Sequence, residues 1–166
     1  MPLSEAELER LRSSSGLSID DEGRFLHRGE PIAHARTLEV LWRSLAPADG
    51  GRWTVRVGRE SAYVAVEETP WIVRAVGAGD GVSMPTLSLS DGSREPLDPA
   101  TLRVGPDGVL RCTVSRGRPA RFARAAQIAL GMALEEDPPG SQAFVLVAGG
   151  RRWAIRAVPP AGRDAP

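Results

Sequence analysis

The nine residues RGEPIAHAR, Arg28–Arg36, return 88 positions later as RGRPARFAR, Arg116–Arg124. Arg, Gly, Pro, Ala and Arg hold the same five places in both. A second echo follows in the same order: WIVRAV (Trp71–Val76) and WAIRAV (Trp153–Val158) share Trp, Arg, Ala and Val. Two echoes in one order, with similar elements between them, are the mark of a tandem duplication. A duplicated unit that cannot cover its own apolar face packs against its copy. Within each echo, glycine permits a sharp exit from a strand, and proline fixes φ on the approach to a helix.

The elements expected around the echoes define the fold. In the first copy, Leu17 and Ile19, the DDEG turn (Asp20–Gly23) and Phe25–His27 read as a hairpin. Ala35–Ala46 reads as a helix, with Leu38, Leu41, Trp42 and Leu45 on one face. Strands are expected over Trp53–Val57, Tyr63–Val66, Trp71–Val76 and Met84–Leu89. In the second copy, strands at Leu102–Val104 and Val109–Val114 flank the GPDG turn. A helix is expected over Ala120–Glu135, packing through Phe122, Ala126, Ala129 and Ala133 with Ile128 and Met132. Strands Ala143–Val147 and Trp153–Val158 close it.

Ahead of both copies, Ser4 and Glu7 form a capping box, Leu3 and Leu8 a hydrophobic staple, and Leu8 and Leu11 an apolar edge. The expected class is α+β: two tandem repeated subdomains, each a β-hairpin, a helix and antiparallel strands, preceded by a short helix. The boundaries are 1–16 for that helix, 17–98 and 99–158 for the repeats, and 159–166 for a disordered tail.

The first copy carries a further pattern. Ile19, Gly23, Gly29, Pro31 and Ile32 stand at the spacing I-x3-G-x5-G-x-P-I, and VEETPW (Val66–Trp71) follows the helix and hairpin. This pattern resembles the bacterial DUF1285 family. The resemblance covers the first half best and, more loosely, most of the chain. It implies two similar α+β subdomains; no activity is established for the family, and a signalling role has been suggested for it. The family's usual T-P-V-E-[KR] segment is replaced here by VRVGRESAYV (Val55–Val64), so nothing is carried over for that stretch.

Composition narrows the chemistry. All 21 basic side chains are arginine, which excludes a Schiff-base or phosphate-loop lysine. His27 and His34 have no ligand companions at zinc spacing, so no metal and no cofactor is expected. Cys112 is alone, alternates within a strand and reads as a buried side chain. The glycines of GAGDG (Gly77–Gly81) precede a strand rather than a helix and read as a turn. Glu67 and Glu68 are adjacent, and neighbours on a strand face opposite ways, which suits them poorly to joint acid–base work. No catalytic residue is assigned, and an enzyme is not the expectation.

With zero net charge, no long apolar run and no basic-apolar leader, the chain reads as a cytoplasmic protein with no membrane partner. The charge is nevertheless uneven, at −3 over residues 1–50 and +4 over 106–166. The leading expectation is a non-catalytic binding or interaction module, regulatory or signalling, whose partner is another protein or a second copy in a homodimer. One alternative is a small-ligand receptor or enzyme at the seam between repeats, with Arg28, Glu67, Glu68 and Arg116 as polar contacts. Another is weak nucleic-acid binding through an anion patch of Arg116, Arg118, Arg121 and Arg124, against which a solvated face is the simpler expectation.

Overall fold

The computed structural model describes residues 4–77, 81–141 and 143–158. Leu3 and the side chains of Leu8 and Leu11, residues 78–80 of GAGDG, and the expected tail 159–166 lie outside the described residues. The chain divides into two compact units, 1–70 and 71–166. Residues 71–98, which the echo spacing assigns to the first repeat, go with the second unit.

The first unit opens with helix α1 (Glu5–Ser13). Its capping box is formed: the Glu7 amide donates to Ser4 Oγ at 3.3 Å, and the Ser4 amide donates to Glu7 Oε2 at 2.8 Å. Strands β1 (Leu17–Ile19), β2 (Phe25–His27) and β3 (Glu30–Pro31) precede helix α2 (Ala35–Ser44). Strands β4 (Ala46–Ala48), β5 (Arg52–Val57) and β6 (Glu60–Val66) follow it. They form one sheet in the order β3-β2-β1-β6-β5-β4, in which only β1 and β6 run parallel.

The face read from the sequence is the one α2 buries: Leu41, with Leu38, Trp42 and Leu45, packs on Ile19, Phe25, Val55 and Val64. Phe25 meets Trp42 edge-on at 4.8 Å between ring centroids. The helix stops at Ser44 rather than Ala46, because Ala46 is already paired with Thr54 across β4 and β5.

The second unit begins with β7 (Trp71–Gly77), β8 (Thr86–Leu89) and β9 (Arg94–Pro96). Then come β10 (Arg103–Val104), β11 (Leu110–Val114), β12 (Arg118–Phe122) and helix α3 (Arg124–Gly131). The last strands are β13 (Leu134–Glu136), β14 (Phe144–Ala148), β15 (Arg151–Ala154) and β16 (Arg156–Ala157). One sheet has the order β16-β10-β11-β12-β7-β8-β9, and a second has β13-β14-β15. The strands β15 and β16 are successive, separated by Ile155 alone. Followed through that joint, β12-β11-β10-β16/β15-β14-β13 repeats the first unit's order strand for strand, down to the parallel pair, here β10 with β16. The duplication is therefore present as topology.

Two expectations are corrected. The second helix is shorter than Ala120–Glu135. Ala120 and Phe122 belong to β12, where they pair in parallel with Trp71 and Val73, and Leu134–Glu136 pairs with β14. Available partner strands override local helical spacing here. The helix also turns another face inward: it buries Ala126 and Leu130, while Ala129, Ile128 and Met132 are exposed. The Trp echo, in turn, does not mark equivalent strands. By sheet order the counterpart of β15/β16 is β6, whereas β7 extends the second unit's sheet beyond β12.

Candidate functional site

The Arg-Gly pair of each echo is a left-handed turn. Arg28 and Arg116 have φ of 52° and 65°, and the glycines after them 83° and 70°. They are the two non-glycine residues with positive φ among the described residues. A side chain in this conformation costs about 1 kcal/mol, so the pairing of these turns by the fold outweighs local preference. Both arginines are exposed, and the Arg28 amide donates to the Gly16 carbonyl at 2.7 Å. Glu67 and Glu68 lie exposed on the bend after β6, ahead of the buried Thr69 and Pro70.

The arginines that cluster in sequence do not share a face. The Arg118 guanidinium lies over the Trp71 ring at 4.6 Å, pairs with Asp91 at 3.6 Å and donates from Nε to the Ser115 carbonyl at 2.8 Å. Arg121 is three residues on along the same strand and so leaves the opposite face. Arg124 is exposed at the start of α3.

On Arg121's face the strands assemble a different set. Arg121 is registered opposite Arg111, Arg111 opposite Arg103, and Arg103 opposite Arg156. Four arginines thus stand in one row across β12, β11, β10 and β16. Directly opposed like charges cost roughly 0.2–1 kcal/mol per pair, so the row does not serve the sheet itself. Arg111 is tied down: it forks onto Asp107 at 2.7 and 2.9 Å and donates to the Val109 carbonyl at 3.0 Å. This fork holds the Asp107 carboxyl well below the usual carboxylate range. It also requires glycine at 105, where a Cβ would collide with the guanidinium. Matching the two hairpins at their turns places Ser18 and Leu26 where the second unit has Arg103 and Arg111, and Ala65 where it has Arg156. The row is invisible in sequence because its members are scattered between residues 103 and 156 and meet only through strand pairing.

The helices present a second repeated feature on their solvent faces. On α3, Ile128 is 59% and Met132 87% exposed, one turn apart, with exposed Arg124 one turn earlier. On α2 the same 88-residue offset brings exposed Arg36 and Val40 to the matching places. There a shallow groove of about 210 Å³ is lined by His34, Arg36, Thr37, Val40, Leu41 and Val57. His34 itself caps α2, accepting from the Thr37 amide at 3.3 Å. A larger groove of about 410 Å³ runs beside α1, past Ser13, Ser15, Ser18, Arg52 and Tyr63. Arg52 stacks over Tyr63 at 4.0 Å, and both bond Glu9.

Cys112 is fully buried in β11, and burial pushes its thiol up to about 12, so no thiolate is offered at neutral pH. Among the described residues no group of three metal-ligating side chains converges. No helix among them is long and apolar enough to cross a membrane.

The architecture defines an α+β protein built from a duplicated six-strand unit. Two solved structures share it. One is a DUF1285 family protein from Silicibacter pomeroyi DSS-3, 16% identical, with a TM-score of 0.62 over 86% of this chain and 80% of that one. The other is a DUF1285 family protein from Shewanella baltica OS155, 18% identical, with a TM-score of 0.51 over 67% and 86%. The chain has the DUF1285 fold, as the glycine and proline spacing of its first copy implies. No protein-family model matches the sequence, and no curated protein does.

Proposed function

We propose that this chain is a non-catalytic interaction module that docks another protein on the solvent face of α3. The observation that carries the reading is the exposure of Ile128 and Met132 on one helix face, with Arg124 completing the stripe. An aliphatic and a methionine side chain offered together to water are the usual anchors of a helix-face contact, and methionine adapts to the shape it meets. Arg124 suits a partner that sets a carboxylate beside its apolar anchor. The matching Arg36–Val40 pair on α2 gives the first unit a smaller version of the same surface. A regulatory role is in keeping with a module of this kind.

The test places a photo-crosslinking amino acid at Met132 of the full chain in a native lysate. A discrete crosslinked species that disappears when Ile128→Glu is added supports docking, and a crosslink between two copies identifies the partner as the chain itself. A pattern no different from that of the same crosslinker at exposed Arg59 overturns the reading.

A further inference from the structure

Within the row of four arginines, the two at the β10–β16 end stand apart. Arg111 is held by Asp107, and Arg121 has partners of its own within the chain. Arg103 and Arg156 make no side-chain hydrogen bond or ion pair among the described residues. Yet Arg103 is half-buried, and its neighbour across the strand pair is Arg156, which is exposed. A partly desolvated guanidinium without a carboxylate, set beside a second guanidinium, is unfavourable until an anion joins them. Adjacent strands lie roughly 4.8 Å apart, so both forks reach a group the size of a phosphate.

The first unit serves as an internal control. Its matching positions, Ser18 and Ala65, are paired in the same parallel register, so the fold needs no arginine at either place.

We infer that Arg103 and Arg156 form an anion site for the phosphoryl group of a small molecule. A carboxylate offers two acceptor oxygens, whereas a terminal phosphoryl group offers three and carries the charge to engage two guanidinium forks. The inference stands apart from the docking surface on α3 and uses none of its residues. Nucleic acid presents the same chemistry from a different source, but this short row ends at a sheet edge in a chain of zero net charge, so a single phosphoryl group is the better fit.

The experiment titrates the full chain with inorganic phosphate and with inorganic pyrophosphate at low salt, by calorimetry and by thermal unfolding. Saturable binding is expected, with a rise in melting temperature. Arg156→Gln, at an exposed position, and Arg103→Gln are each expected to weaken binding at least ~10-fold. Arg59→Gln, in the first unit, leaves it unchanged. The absence of saturable binding overturns the inference, as does binding by both variants that is as tight as that of the unaltered chain. Binding to single-stranded DNA that Arg156→Gln abolishes, while neither phosphate nor pyrophosphate binds, also overturns it and transfers the site to nucleic acid.

Discussion

The two units share a strand order but differ on the sheet face away from their helices. In the first, that face presents Ser18, Ala65 and Tyr63, and α1 packs on β6 there, with Tyr63 bonded to Glu9. In the second, the corresponding places hold Arg103 and Arg156, and at β14 the buried Val145 stands where the first unit has Thr54. A duplicated fold thus separates what its architecture requires from what it tolerates. The helix-side core is apolar in both copies. The opposite face has been free to diverge.

The largest expected effect tests that divergence. Val145→Ala should cost about 2–3 kcal/mol in denaturant unfolding, because its side chain is buried. Thr54→Ala, at the matching place, should cost about 1 kcal/mol, chiefly through its hydroxyl bond to the Ala62 carbonyl. Equal losses would mean that the outer faces are equivalent after all.

Cys112 offers a sharper contrast, since its counterpart by hairpin matching, His27, is exposed. The thiol's folded value is about 12 against an ordinary 9.0. Between these values the unfolded chain releases a proton that the folded chain retains. Stability should therefore be fully present below about pH 9 and fall as pH rises towards 12, by up to about 1.4 kcal/mol per pH unit. Cys112→Ala should flatten this alkaline limb, and His27→Ala should leave its slope unchanged.

A smaller effect is expected at the strand before each helix. Arg118→Ala removes the stack on Trp71 and the pair with Asp91 and should cost about 1–2 kcal/mol. Its echo position, Glu30, is exposed on the edge strand β3, and Glu30→Ala should change unfolding by no more than about 0.5 kcal/mol. The smallest effect belongs to the turns, where the copies agree. Arg28→Asn and Arg116→Asn should each stabilise by about 0.5 kcal/mol, because asparagine accepts the left-handed conformation more readily. Destabilisation by both would show that the arginine side chains, rather than the backbone shape, are what each turn needs.

Much of the first unit was legible because its signals are local. The Ser4–Glu7 box, the α2 face and the R-G turns depend on residues a few positions apart, and each is found where the spacing places it. The second helix was misread because Ala120 and Phe122 fit a helical stripe as well as a strand, and only their pairing with Trp71 and Val73 separates the two. The Trp echo misled for a related reason. Four shared residues mark a strand of similar composition without saying which neighbour it takes.

By itself the sequence determined the duplication, the α+β class and the places where the backbone must turn, since these follow from short-range φ/ψ preferences and from apolar spacing. Tertiary structure alone decided that β7 joins the second unit's sheet, that Arg118 and Arg121 part to opposite faces, and that Arg103 and Arg156 stand side by side. Strand pairing is a long-range choice, fixed by which edges can meet and bury their apolar faces together, and no local spacing encodes it.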